Sequence, residues 1–144
     1  MTLFYNNRML AERAFIVCAC AARLSCYMEN GKYSAEMREI MTVELISVGT
    51  EILLGNIVNT NAAWLSEQCA RLGLSCYYQS VVGDNAVRLK EQIQQALNRS
   101  DIVILTGGLG PTTDDLTKET AAQLMGKGLV MDMHSLERVE AYFK

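Results

Sequence analysis

β-rich apolar runs alternate with amphipathic segments from Met41 to the end of this chain, and no other feature restricts its fold as strongly. Runs typical of buried strands occupy residues 43–48, 74–82 and 102–105. Apolar residues at helical spacing occupy residues 62–72, 86–98 and 118–125, and a last helix is predicted from about residue 135. Such alternation builds a mostly parallel sheet with right-handed crossovers and helices on both faces. The sequence therefore predicts an α/β fold arranged as a three-layer sandwich.

Residues 1–40 stand apart from this pattern. An apolar run at residues 14–22 follows Arg8 and Arg13, as in a signal peptide, but it is too short to span a bilayer and Arg23 interrupts it. Secretion remains an alternative. We interpret residues 1–40 as an extension outside the domain, or as a mis-called start with translation beginning at Met41.

Residues 41–144 are interpreted as a partial domain. They contain three convincing strands, whereas an open sheet usually has about five or six. We therefore expect the C-terminal part of the domain to follow Lys144 in a fuller version of the protein.

The charge and the cysteine pattern exclude several classes of partner. The chain has 13 Lys and Arg against 16 Asp and Glu, with no basic run, so we expect no nucleic-acid partner. Five cysteines without Cys-x-x-Cys spacing and a single histidine, His134, do not make a zinc site. These features favour a cytoplasmic protein with reduced thiols and a small-molecule ligand, and we expect no membrane partner.

Residues that could bind a ligand or a metal ion follow each predicted strand. Glu51 comes shortly after the first strand, Asp84 directly after the second, and residues 106–115 after the third. Because the carboxyl ends of parallel strands meet at one edge of a sheet, and ligands bind there, the sequence predicts a site at this edge.

The segment at residues 106–115, TGGLGPTTDD, is the most informative of the three. Glycines let backbone amides approach a ligand closely, and amides before a helix attract anions. The alternative is a tight turn that binds nothing. The segment fits neither of the two common nucleotide-binding motifs, since it has no Gly-Lys-Ser/Thr ending and no Gly-x-Gly-x-x-Gly spacing. We assign phosphate binding to Thr106, Gly107, Gly108, Gly110, Thr112 and Thr113, together with Asn61.

Carboxylates beside a phosphate site repel the ligand unless a cation lies between them. Asp114 and Asp115 close the glycine segment, and Asp84 and Glu51 are expected at the same edge. A divalent ion such as Mg²⁺ would resolve the conflict. The alternative for Asp84 is a helix cap, and for Glu51 a solvent-exposed loop residue.

Four sequence blocks, at residues 48–55, 59–61, 82–85 and 106–117, together resemble the amino-terminal domain of the CinA family. The resemblance runs from about Met41 to the end of the chain. That domain is similar to the molybdopterin-binding fold of molybdopterin adenylyltransferases. By this resemblance Asp115 corresponds to their loop aspartate, and Asp84 to the acidic residue after their second strand. On this basis we assign catalysis to Asp84 and Asp115, and metal binding to Asp84, Asp115 and Glu51. Leu109 replaces a threonine of the adenylyltransferases, and Thr113 with Asp114 replaces their basic pair, which favours the CinA branch.

The resemblance implies metal-dependent hydrolysis of ADP-ribose-like dinucleotides, with Mg²⁺ or Co²⁺ as cofactor. The alternatives are binding of a pterin or nucleotide phosphate, adenylyl transfer in molybdenum cofactor biosynthesis, or an inactive fragment. Homo-oligomer formation is left open. The separate domain that deamidates nicotinamide mononucleotide in the family has no counterpart in these residues, so that activity is not assigned.

Overall fold

The computed structural model describes residues 2–4, 15–18 and 41–142. The strands within these residues are β1 (Thr2–Phe4), β2 (Phe15–Cys18), β3 (Thr42–Val48), β4 (Ser75–Val82) and β5 (Ile102–Thr106). The helices are α1 (Thr50–Leu53), α2 (Thr60–Arg71), α3 (Ala86–Arg99), α4 (Thr117–Leu124) and α5 (Met133–Tyr142). Every strand and helix predicted from the sequence is present, with ends within two residues of the predicted ones. The short helix α1 was not predicted.

The described strands form one sheet in the order β1-β2-β5-β3-β4. Strand β3 lies in its parallel part and pairs with both β4 and β5 in parallel. Strand β2 pairs with β5 antiparallel, and β1 pairs with β2 antiparallel. The predicted parallel arrangement of the three strands after Met41 is therefore confirmed.

Helices cover both faces of this parallel part. Helices α3 and α4 cover one face, which buries Ile46, Val48, Val82, Leu89, Ile93, Ala96, Val103, Leu105 and Ala121. Helix α2 covers the other face, which buries Val43, Leu45, Ala62, Leu65, Cys69 and Ile104. The predicted three-layer α/β arrangement is confirmed.

Strand β3 also buries one charge. Glu44 is fully buried and accepts two hydrogen bonds from Arg99, from Nε at 2.9 Å and from Nη2 at 2.6 Å. The Ser100 hydroxyl donates to the same carboxylate at 3.3 Å, and the Arg99 guanidinium lies 4.0 Å from the centre of the Tyr78 ring. A buried carboxylate is costly unless it is paired and hydrogen-bonded, and here both conditions are met. This contact ties the end of α3 to β3 and β4.

The sheet extends into the N-terminal segment that the sequence left outside the domain. Strands β1 and β2 both lie within residues 1–40, and β2 takes the side of β5 that faces away from β3. The boundary at Met41 itself stays a prediction, because backbone pairing alone does not establish which residues the domain needs in order to fold. In the part of the chain that the structure describes, no helix has the length and apolar character needed to cross a membrane.

Helix α3 provides a test of the packing on its face of the sheet. Leu89 is fully buried against the sheet, whereas Val87, on the same helix, is 66% exposed. We expect Leu89→Ala to lower the free energy of unfolding by about 3 kcal/mol, because it leaves a cavity in a closed core. Val87→Ala should change it by less than about 0.5 kcal/mol. Urea unfolding followed by circular dichroism measures both, and equal effects would contradict this packing.

Candidate functional site

The carboxyl ends of the three parallel strands lie side by side. Ser47 in β3 is paired with Thr106 at the end of β5, and Val48 is paired with Val82 at the end of β4. The Gly49 amide continues this alignment beyond the strand by donating to the Val82 carbonyl oxygen at 2.9 Å. The segments that carry the predicted site residues therefore start from one edge of the sheet.

The glycine segment after β5 packs tightly against the end of β3. Gly107 and Gly108 have φ of 89° and 60°, a conformation that favours glycine. A Cβ atom on Gly107 would lie 2.0 Å from the Val48 carbonyl oxygen, and one on Gly108 would lie 2.5 Å from Thr117 Oγ1. The two glycines are thus required by packing within the chain, as the tight-turn alternative supposed. The phosphate-binding role is compatible with this packing and remains a separate prediction.

Thr117, the first residue of α4, closes the segment from the other side. Its hydroxyl donates to the Gly107 carbonyl oxygen at 2.8 Å, and its amide donates to the Gly108 carbonyl oxygen at 3.1 Å. Thr117 is fully buried. Thr117 was not among the predicted site residues, because its role in holding the glycine segment depends on the turn geometry.

Asp115 organises the second half of the glycine segment. Its Oδ2 accepts a hydrogen bond from the Thr112 amide at 2.9 Å and another from the Thr112 hydroxyl. A Cβ atom on Gly110 would lie 2.5 Å from the same oxygen, so the carboxylate lies against Gly110. The hydrogen bonds from the Thr112 side chain and backbone, with one from the Gly110 backbone, lower the pKa of Asp115. Asp115 is therefore ionised at neutral pH and holds the turn around Thr112 in place.

Asp84 connects the end of β4 to α1. Its Oδ2 accepts from the Thr50 amide at 2.9 Å, and its own amide donates to Thr50 Oγ1 at 3.2 Å. This reciprocal pair satisfies an orphan amide at the start of α1. Asp84 is thus a helix cap, and the helix that it caps is α1. Helix α3, which follows Asp84 in the chain, is capped by Asn85, whose side chain accepts from the Arg88 amide at 3.1 Å.

Glu51 folds back toward the end of β3. A Cβ atom on Gly49 would lie 2.6 Å from Glu51 Oε1, so the carboxylate covers Gly49. The side chain remains exposed. Glu51 therefore lies at the predicted edge.

The predicted metal ligands do not form a complete metal site by themselves. Within residues 41–142, no group of three or more His, Cys, Asp or Glu side chains could hold a metal ion. Asp84 and Asp115 each accept hydrogen bonds from the chain through Oδ2. Magnesium, however, is commonly bound through one or two carboxylates together with substrate phosphates and water. These donors fit an ion that takes part of its ligands from a bound phosphate, and the metal role stays a prediction.

The N-terminus of α2 is fixed to the same edge by two asparagines. Asn59 accepts from the Ala62 amide at 3.1 Å, and its Nδ2 donates to Ser47 Oγ at 2.8 Å. Asn61 Nδ2 lies 3.4 Å from Thr106 Oγ1, so these two predicted phosphate-binding residues do meet. The positive end of a 12-residue helix thus faces the edge where the glycine segment starts.

Lys118 lies against the glycine segment, and the sequence reasoning did not include it among the candidate site residues. Its Nζ donates to the Gly110 carbonyl oxygen at 3.3 Å and lies 3.0 Å from a carboxylate oxygen of Glu119. The Lys118 charge also contributes to lowering the pKa of Asp115. The sequence signal was a lysine in the first turn of the helix after the glycine segment. Lys118 supplies positive charge to a segment whose basic pair was judged absent.

Comparison with known proteins decides the family. Residues 44–144 match the family described as "Probable molybdopterin binding domain". The chain belongs to this family.

Relatives identify the branch of this family. The chain is 57% identical over 104 residues to a competence-damage inducible protein of Alkaliphilus oremlandii, covering 72% of this chain and 25% of that protein. It is 58% identical over 104 residues to one of Clostridium novyi, with the same coverage of both proteins. The chain spans about a quarter of the length of these curated relatives.

A solved structure supports the same branch. The protein CinA from Thermoplasma acidophilum, described as having unknown function, superposes with a TM-score of 0.65 at 36% identity. The match covers 71% of this chain and 60% of that one. The resemblance to the CinA family seen in the sequence is therefore confirmed.

The contact between the glycine segment and β3 provides the second test. Gly107→Ala should lower the free energy of unfolding by about 3 kcal/mol or more, because the left-handed backbone and the clash with Val48 both oppose a side chain. Gly126 also has positive φ, but no atom lies within 4 Å of the position that its Cβ would take. Gly126→Ala should therefore cost only about 1 kcal/mol. Chemical denaturation measures the difference, and a smaller loss for Gly107→Ala would contradict the close approach.

Proposed function

We propose that the glycine segment binds the phosphate groups of a nucleotide diphosphate, and that the domain hydrolyses the phosphoanhydride with the help of a divalent ion. One observation carries this proposal. The glycine segment, the N-terminus of α2 and Lys118 supply left-handed glycines, helix amides and a cation at one edge of the sheet. Together these are the groups that attract and hold a phosphate.

The hydroxyl groups at this edge support the same ligand class. Thr106 is buried beside Asn61, whereas Thr112 and Thr113 are exposed on the glycine segment. Hydroxyl and amide donors of this kind bind phosphate oxygens without adding charge. We propose phosphate-binding roles for these four side chains and for Gly107, Gly108 and Gly110.

Asp84 and Asp115 are the residues that would hold a divalent ion, with Glu51 as the third carboxylate of the edge. When bound, such an ion would neutralise the charge that develops on the phosphoanhydride. The carboxylates of this chain repel a phosphate when no cation is present. We therefore expect Mg²⁺ or Co²⁺ and the nucleotide to bind together rather than separately.

A second candidate function is binding of a pterin or nucleotide phosphate without turnover, or adenylyl transfer. The hydrogen bonds of Asp84 and Asp115 favour binding without turnover, because they give each carboxylate a structural role that needs no metal. The glycine segment alone fits all three activities. Binding without metal dependence would favour the binding function, whereas adenylyl transfer uses the same anhydride chemistry as hydrolysis and differs from it in the acceptor. An inactive fragment remains the alternative in which neither turnover nor binding occurs.

The cellular location of the protein and the class of its ligand are proposals as well. We propose a cytoplasmic protein that acts on a small molecule and not on nucleic acid. The activities of the longer relatives are not transferred to this chain, since it spans about a quarter of their length.

Hydrolysis of ADP-ribose by the purified chain, with and without Mg²⁺ or Co²⁺, is the direct test. We expect AMP release that falls about a hundredfold when the ion is chelated, since removing one electrostatic stabiliser commonly costs that much. Asp115→Asn should cause a similar loss while keeping the fold, because asparagine can still accept from the Thr112 amide. Asp114→Asn is the matched control, because it removes the same charge from an exposed neighbour.

The outcomes of this test separate the candidates. Equal losses in Asp115→Asn and Asp114→Asn would contradict a specific role for Asp115. Nucleotide binding without turnover, in a sample that melts cooperatively by circular dichroism, would favour the binding function. Absence of both in a folded sample would contradict the proposed phosphate site.

Lys118 provides an independent test of phosphate recognition. Lys118→Ala should weaken ADP-ribose binding about tenfold, because a charge-assisted hydrogen bond contributes about 1.5 kcal/mol. Lys118→Arg should bind within about threefold of the natural chain, because it keeps the charge. Lys127→Ala removes an exposed lysine just after α4 and serves as the control. Titration calorimetry at low and high salt measures these affinities, and an unaffected Lys118→Ala variant would remove Lys118 from the site.

A further inference from the structure

Two hydroxyl side chains interrupt the apolar face that β3 and β5 turn toward α2. Val43 and Leu45 in β3, and Ile104 in β5, belong to the cluster that α2 covers. Because side chains alternate along a strand, the next positions on this face are Ser47 and Thr106. Ser47 is 1% exposed and Thr106 is 2% exposed. Both polar residues are therefore buried at positions where the strand pattern predicts apolar side chains.

Each hydroxyl group is matched by one asparagine at the start of α2. Ser47 and Thr106 are paired directly in the parallel ladder, so they lie side by side. Asn59 Nδ2 donates to Ser47 Oγ at 2.8 Å, and Asn61 Nδ2 donates to Thr106 Oγ1 at 3.4 Å. A buried polar group is costly unless it is hydrogen-bonded. The two contacts together therefore favour one position of α2 against the ends of the strands.

The two contacts differ in what they offer to a ligand. Asn61 and Thr106 are both among the proposed phosphate-binding residues. Ser47 is too deeply buried to touch a ligand itself. Asn59 already uses its oxygen to accept from the Ala62 amide and its nitrogen to donate to Ser47. Any effect of the Ser47 hydroxyl on a ligand must therefore pass through the position that it gives to the start of α2.

We propose that Ser47 is a positioning residue of the phosphate site, which acts through Asn59 to hold Asn61 beside Thr106; this inference rests on the proposed phosphate-binding function. The side chain that caps α2 is the same one that attaches the helix to β3. A hydrogen bond is directional, whereas apolar packing is not, so a serine at this position fixes the helix more closely than a valine would. Groups that are held in place before a ligand arrives lose less freedom when it binds.

Ser47→Ala tests the proposal because it removes the acceptor and leaves the cap of α2 in place. Ser66→Ala is the matched control. Ser66 lies later in α2 and accepts from Gln79 of β4 at 2.6 Å, so this variant also removes a serine that attaches α2 to the sheet. Titration calorimetry with ADP-ribose and Mg²⁺ should show affinity about tenfold weaker in Ser47→Ala and less than about twofold weaker in Ser66→Ala.

A double-mutant cycle separates positioning from a general loss of stability. If Ser47 acts through Asn61, adding Ser47→Ala to an Asn61→Ala variant should weaken binding by less than about twofold, because the positioned group is already gone. A purely structural role for Ser47 would instead produce the same loss of affinity in both backgrounds.

Nuclear magnetic resonance of the ligand-free chain tests the positioning step independently of ligand binding. In the natural chain and in Ser66→Ala, a nuclear Overhauser effect should join the Asn61 side-chain amide to the Thr106 side chain. Ser47→Ala should lose this effect while the backbone amides of β3 and β5 keep their folded resonances.

A second variant covers the case in which Ser47→Ala does not fold. Asn59→Ser breaks the same contact from the other side, since serine still caps a helix but is shorter and has no amide group. It should weaken ADP-ribose binding about tenfold as well. Asn85→Ser is its control, because Asn85 caps α3 in the same way, and it should leave the affinity unchanged.

Three results would overturn the proposal. The first is a folded Ser47→Ala variant that binds ADP-ribose within about twofold of the natural chain. The second is an equal loss of affinity with and without Asn61→Ala. The third is an Asn61 to Thr106 effect that Ser47→Ala leaves unchanged. If the natural chain does not bind ADP-ribose, the proposed function is contradicted, and the resonance measurement still decides whether Ser47 holds Asn61 beside Thr106.

Discussion

The burial of β3 between two parallel neighbours is the constraint on which the rest of this structure depends. Val43, Leu45 and Ile46 are fully buried, and helices cover both faces of the strand. A strand enclosed in this way has little freedom to shift, because any change in register would move its side chains to the wrong face. Its carboxyl end is therefore a fixed point, to which Asn59 attaches α2 and Gly107 attaches the glycine segment.

Polar groups lie near both ends of β3, for different reasons. Near the start of the strand, the Glu44 carboxylate is matched by Arg99 and Ser100 in an enclosed network, and we interpret it as a structural contact between β3 and α3. At the other end, Asp84 and Asp115 lie nearer the surface and each orders a turn. Carboxylates that are already held in place lose little freedom when a ligand arrives, which is the physical advantage of a preorganised site. Among the described residues, these carboxylates are not part of a group of three that could hold a metal ion.

The proposed function and the pairing of β5 with β2 depend on different parts of one sheet. Phosphate recognition depends on the segments beyond the carboxyl ends of the strands, where amides and a lysine converge. The pairing depends on backbone groups along β5, which any strand of suitable register can match. The two meet at Thr106, because β5 also leads into the glycine segment.

Local patterns in the sequence were sufficient to predict the three parallel strands, the helices between them and the glycine segment, because these depend on periodicity and on the backbone freedom of glycine. The family resemblance likewise came from short blocks read in order. Contacts between distant residues could not be predicted in this way: Asp84 meets Thr50 across 34 positions, and Arg99 meets Glu44 across 55. The contact of Lys118 with Gly110 could not be predicted either, because it depends on the turn before α4, which places the lysine side chain beside the Gly110 carbonyl oxygen. The pairing of β2 with β5 was equally hidden, since a four-residue apolar run in an extension shows neither its partner nor its register. The sequence by itself determined the three parallel strands, the longer helices and the glycine segment beyond Met41. The tertiary structure alone decided which polar groups satisfy one another, because that depends on how the crossovers bring the strand ends together.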